Sequence, residues 1–135
     1  MTIVGFNFMK MNIERNAAPT GKIDIKNNVA IVSAKRTEFH LGKSKDKGIT
    51  FGFEFVSKYE PKIGEIRFSG DILYIGEDKK NEQVMTEWEK NKKVPNEVMN
   101  ELLKTILGRC NVEAVLLSRD INLPPPIPFN IPKLQ

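Results

Sequence analysis

Few residues in this chain have the type and spacing that chemistry requires. The only histidine, His40, stands between Phe39 and Leu41 with no Cys, Asp or Glu at ligand spacing, so it reads as a surface or structural residue rather than a metal ligand. The only cysteine, Cys110, can form no internal disulfide, and its place in an apolar helical pattern marks it as a small buried residue rather than a reactive thiol. Glu54, Glu65 and Asp71 fall on strand faces that alternate with apolar residues, where solvation is their expected role. There is no Gly-rich phosphate loop, no nucleophile elbow, no paired histidine on a helix and no Cys/His cluster. The residues point away from an enzyme and imply neither cofactor nor metal.

One chemical feature is concentrated, and it is electrostatic. Ala34–Lys47 carries Lys35, Arg36, Lys43, Lys45 and Lys47 against Glu38 and Asp46, a set able to touch phosphate, nucleic acid or an acidic partner. No aromatic platform or helix N-terminus is interleaved with these cations, so the stretch reads first as a solvated hairpin loop. Nucleic-acid or phosphate binding through the five basic residues stands as an alternative function. A structural or regulatory oligomeric interaction protein is a third class.

Those residues must be held by a frame, and the frame begins at Gly48–Gly76. Ile49, Phe51, Phe53 and Phe55 alternate with Thr50, Gly52 and Glu54, which is the period of a half-buried strand. Tyr59–Gly64 supplies a reversal, with Pro61 presetting φ and Gly64 free to take a positive φ. The return carries Ile66, Phe68, Ile72 and Tyr74, interrupted at Gly70. Upstream, Thr2–Ile13 changes phase after Phe8, which predicts a bulge near Phe8–Met9. The polar Glu14–Gly21 is long enough to cross over the sheet rather than make a tight hairpin. Lys22–Ser33 keeps Ile23, Ile25, Val29 and Ile31 in phase, with Asn27-Asn28 at an expected turn or bulge, giving one bent strand or two short ones.

Beyond Gly76 the period changes from two to that of a helix. Asp78 is placed to cap Lys79–Asn91, where Val84, Met85 and Trp88 form the apolar side. Pro95 suits the first position of a second helix. Its stripe runs through Val98, Met99, Leu102, Leu103, Ile106, Leu107 and Cys110, and Val112, Val115 and Leu116 extend it past Gly108 to about 24 residues, roughly 36 Å. Residues 119–135 hold prolines at 124, 125, 126, 128 and 132, which favour an extended chain, yet Ile121, Leu123, Ile127, Phe129 and Ile131 are too apolar for a solvated tail. Such a segment belongs in an apolar groove.

The length of 135 residues fits a single domain, 1–135, with a sheet in 2–76, helices in 79–117 and the Pro-rich apolar segment in 119–135. Hydrophobic residues make up 40% and charged residues 28%, which excludes wholesale disorder. No stretch approaches eighteen uncharged apolar residues, and Met1–Met11 lacks the features of a signal peptide, so no membrane insertion and a cytoplasmic location are expected. The net charge of +4 comes from lysines scattered among acidic residues.

The order of elements and the ending together resemble the SecB-like export chaperones. The resemblance is carried by Val98–Arg119, a long helix ending in Leu117-Ser118-Arg119, then by Ile121-Asn122-Leu123-Pro124-Pro125 and Ile127-Pro128-Phe129-Asn130. It implies an α+β, SecB-like fold with a four-stranded antiparallel sheet packed by C-terminal helices, assembled as a homo-oligomer, dimer or tetramer. The implied activity is binding without chemistry: unfolded or partner polypeptide lies extended in apolar grooves beside the long helix. On that resemblance the polypeptide-binding residues are Ile121, Leu123, Ile127 and Phe129, with Phe6 and Phe8 contributing aromatic contacts. The basic charge departs from the acidic surface with which bacterial members dock the translocation motor, so docking of that kind is not implied.

Overall fold

The structure, a computed structural model, describes residues 2–18, 21–41 and 44–126, with the side chains of 2, 39–41 and 44–46 outside that description. It is an α+β arrangement of four strands followed by two helices: β1 (Thr2–Arg15), β2 (Asp24–Leu41), β3 (Ser44–Glu60), β4 (Gly64–Ile75), α1 (Asp78–Asn91) and α2 (Asn96–Asp120). The strands form one antiparallel sheet in the order β1-β4-β3-β2, so the link from β1 to β2 crosses the width of the sheet. Both helices pack on the same face.

Period-two alternation decides which side chains lie beneath them. On β3 the helix-side row Ile49, Phe51, Phe53, Phe55, Ser57 and Tyr59 is buried throughout, and on β4 Ile66, Phe68, Ile72 and Tyr74 are fully covered. Burying each of these large apolar groups contributes roughly 1.5–3 kcal/mol. Phe55 and Phe68 are direct cross-strand partners with rings stacked at 5.7 Å. Gly70 makes the next layer possible. Because it leaves a gap on β4, Phe6 of β1 reaches across to stack on Phe53 of β3 at 5.0 Å, and Phe8 packs edge-on against Phe68 at 5.6 Å.

The phase change in β1 is resolved as expected, by a register shift between Phe8 and Lys10 that leaves Met9 69% exposed. A second shift between Ile3 and Gly5 was not legible in the alternation. Elsewhere local expectations are corrected. Asn27-Asn28 does not interrupt β2, whose irregularity falls between Ile31 and Ser33. The polar stretch 34–47 is strand rather than loop over its described residues, because Ala34, Arg36 and Glu38 pair with Phe51, Ile49 and Lys47. At the Tyr59–Gly64 reversal, the Glu60–Pro61 bond is cis and the positive φ belongs to Lys62 at 49°. Gly64 is needed for a different reason: a Cβ there would collide with the Glu14 carbonyl of the neighbouring strand.

Helix starts also differ in detail. Glu77, not Asp78, is the N-cap of α1 and makes no side-chain cap bond, while Asp78 lies in the first turn where a negative charge suits the helix dipole. Pro95 is the N-cap of α2 rather than its first residue. The apolar stripe of α2 is narrower than its sequence suggests: the buried residues are Val98, Leu102, Ile106, Cys110, Ala114 and Ser118, one i, i+4 ridge, while Met99 and Leu103 are half-buried and Leu107 is 37% exposed.

The tightest point is testable. A Cβ on Gly70 would overlap the Asn7 carbonyl and lie 3.0 Å from the Phe53 ring. Gly70→Ala is expected to cost about 1–3 kcal/mol, read as a lower urea midpoint at unchanged slope.

Candidate functional site

The C-terminal half of α2 builds the most distinctive surface, and it starts with how the helix stops. Asn122 takes a left-handed φ of 58°, the Leu123 amide donates to the Ser118 carbonyl at 2.8 Å, and the Asn122 amide donates to Arg119 at 3.2 Å. This is the Schellman pattern, with asparagine in the position that tolerates left-handed geometry and prolines following to prevent continuation. The chain leaves the helix as a strap, Ile121–Pro126, that turns at Ile121-Asn122 before running on through Leu123 and the prolines.

That strap crosses the sheet in the order of its strands. Arg15 at the end of β1 donates to the Ile121 carbonyl at 3.3 Å, and Leu123 lies against Gly64 at the start of β4. The Tyr59 hydroxyl on β3 donates to the Pro124 carbonyl at 2.6 Å, and the Asn27 amide on β2 donates to the Pro126 carbonyl at 3.0 Å, with Ser57 bonded in turn to Asn27 at 2.6 Å. Prolines donate no backbone bond, so the strap is held through its carbonyls. A cavity of about 290 Å³ lies beside it, lined by Val115, Leu116, Ser118, Arg119, Leu123 and Pro125.

Above the strap, α2 lies over β3 and β4 while α1 touches β2 and β3. The helix-facing apolar residues of the two edge strands are consequently only partly covered: Ile3, Phe6, Phe8 and Ile13 on β1, and Ile25, Val29 and Ile31 on β2, with Ile23 just before it. Met11 continues the β1 row at 43% exposure. The Arg109 guanidinium sits 5.0 Å from the Phe6 ring centroid, so α2 overhangs this row with a cation on an aromatic face. Two apolar lanes result, one on each side of α2: the β1 lane is closed by the strap at Arg15, and the β2 lane, Val29 and Ile31, ends where the strap meets Asn27.

Of the polypeptide-binding residues expected from sequence, Phe6 and Phe8 border the β1 lane, Ile121 is half-buried at its foot and Leu123 is 5% exposed, committed to packing. Ile127 and Phe129 lie outside the described residues. The rows on β2 and the anchors Arg15, Asn27 and Tyr59 went unassigned, although the alternation of Ile23, Ile25, Val29 and Ile31 was visible. The basic residues do not share a face. Lys35 pairs with Thr50 on the side away from the helices, whereas Arg36 faces α1 and is held by Glu82 at 3.1 Å and Glu89 at 3.2 Å. Lys47 is exposed opposite Glu38; Lys43 and the side chains of Lys45 and His40 lie outside the described residues.

Burial raises the pKa of three groups, Tyr59, Tyr74 and Cys110. Desolvation raises the Tyr59 phenol well above its ordinary value and pushes the Cys110 thiol up to about 12, so neither ionises near neutrality. Among the described residues no group of three metal-ligating side chains comes together, and no helix is long and apolar enough to cross a membrane. Comparison of the chain with protein-family models, curated proteins and solved structures finds no match.

The sign of the pH dependence follows from these shifts. Groups whose folded pKa is raised contribute their full stability below the unfolded values of 9.0 for Cys and 10.0 for Tyr, and that contribution is lost as pH rises toward the folded values. The urea midpoint should fall as pH rises from about 9 to about 12. Tyr59→Phe should cost about 0.5–1.5 kcal/mol at neutral pH by removing the bond to Pro124, yet flatten the alkaline decline.

Proposed function

We propose that this protein holds extended, non-native polypeptide in the two apolar lanes beside α2, in the manner of SecB-like chaperones and without catalysing a reaction. The observation that carries this reading is the incomplete cover over both edge strands. Phe6, Phe8 and Ile13 on one side, and Val29 and Ile31 on the other, offer rows of partly uncovered side chains at the two-residue period of an extended chain. Contacts of this kind tolerate many client sequences, because they ask only for apolar side chains at alternate positions.

Two features support the SecB-like form of the proposal. The connection from β1 crosses over to β2, and the long helix runs directly into an apolar, proline-containing strap. A cytoplasmic location goes with that role. The basic alternative gains no support from the geometry, since Arg36 is engaged by two carboxylates and Lys35 faces away from it.

Aggregation of a chemically denatured client, followed by light scattering, is the direct measurement. The purified protein should slow aggregation at near-stoichiometric amounts. Met11→Glu together with Val29→Glu, one substitution in each lane at partly uncovered positions, should reduce that protection several-fold at unchanged far-UV circular dichroism. No protection by the native protein at any salt concentration would sink the proposal.

A further inference from the structure

The strap delivers the chain to the foot of the β2 lane. Its last anchor is the Pro126 carbonyl, which accepts from the Asn27 amide at 3.0 Å, and Asn27 is itself fixed by the hydroxyl of the fully buried Ser57 at 2.6 Å. Pro124, Pro125 and Pro126 are stiff, so the point at which residue 127 departs is held by conformation as well as by the bond. From Asn27 there are two ways along β2. Toward its start the strand presents only Ile25 before it begins at Asp24. In the other direction Val29 and Ile31 lie half-covered, up to the buried Ala34 and to Arg36, where α1 is tied over the sheet.

The segment that follows the strap, outside the described residues, has the pattern this lane asks for. Ile127, Phe129 and Ile131 alternate with Pro128, Asn130 and Pro132. In an extended chain the three apolar side chains share one face at intervals of about 6.6 Å, the spacing at which Val29 and Ile31 repeat. Pro128 and Pro132 fall on the opposite row and have no amide to leave unpaired.

We infer that residues 127–131 occupy the β2 lane of their own protomer, with Ile127, Phe129 and Ile131 turned onto Val29 and Ile31, and that polypeptide enters this lane by displacing them. The inference rests on the reading of the lanes as a polypeptide-binding surface and adds the regulation of one of them. The segment is a stand-in for client, extended by its prolines and apolar at alternate positions. Tethered at Pro126, it competes at an effective concentration in the roughly millimolar range, so a weak contact suffices to hold it. A client with a longer apolar row makes more contacts and replaces it. The β1 lane lies at the other end of the strap and stays open, so the two lanes differ in threshold.

Ile31→Cys combined with Phe129→Cys puts a thiol on each side of the contact, while Cys110 is buried with its thiol pushed up to about 12 and stays out of the reaction. In the full chain under a mild oxidant, an intrachain disulfide should form at least tenfold faster than in Met11→Cys with Phe129→Cys, which places the first thiol in the β1 lane. A reduced, carboxymethylated unfolded protein should slow it. Deleting residues 127–135, or combining Ile127→Ser with Phe129→Ser, should tighten binding of that unfolded protein several-fold by fluorescence anisotropy. Equal disulfide rates in the two pairs, or weaker client binding after the deletion, overturns the inference. A fast disulfide in a protein that gives clients no protection keeps the docked segment and removes the polypeptide-binding reading alone.

Discussion

The fold depends on a single line of contact, the ridge of α2 from Val98 to Ser118 laid on the inner strands of the sheet. Residues four apart drift slowly around a helix of 3.6 residues per turn, so a ridge of this kind is narrow and inclined to the axis. It meets the most deeply buried part of the sheet, where Phe51, Phe53 and Phe55 on β3 lie beside Phe68, Ile72 and Tyr74 on β4. A broader apolar face on α2 would have spread the helix over the edge strands. Its narrowness concentrates burial at the centre and leaves both margins of the sheet half-covered.

The strap and the aromatic bridge answer the same shortage of cover. At one end of the sheet, β1, β3 and β2 are tied beneath Ile121–Pro126 through side chains that reach its carbonyls and β4 through the packing of Leu123 on Gly64, which closes the core where α2 stops. Near the middle, Phe6 crosses the gap at Gly70 to join Phe53, binding the edge strand β1 into the core without a helix above it. Between these two devices the apolar rows of the edge strands stay reachable, and the proposed polypeptide-binding surface is what remains uncovered.

Charge is spent on architecture rather than gathered into a patch. Arg36 fixes α1 over β2 through Glu82 and Glu89, and Arg67 joins Glu54 at 2.6 Å and Glu65 at 3.3 Å on the opposite side of the sheet. Exposed pairs of this kind contribute at most about 1 kcal/mol each, so they set orientation more than they add stability. The net charge of +4 therefore describes a solvated surface with both signs interspersed.

The sequence by itself determined the elements whose signal is a local period: the one-sided rows of β3 and β4, the bulge after Phe8, the crossover after β1 and the extent of a long helix. It misread 34–47 because polar residues at the hairpin end of two paired strands carry no apolar alternation, and their strand character comes from the ladder with Gly48–Phe51. It overstated the stripe of α2 because Leu103 and Leu107 are as apolar as Leu102 and Ile106, and only the angle at which the helix meets the sheet selects between them. It placed Leu123 in a binding surface because an apolar side chain looks alike in a core or a groove. Only the tertiary structure decided that Leu123 packs on Gly64, that Arg36 belongs to α1, and that the edge strands keep partly open faces. Those outcomes rest on contacts between residues far apart in the chain, and no local pattern encodes which of two apolar faces a neighbour will cover.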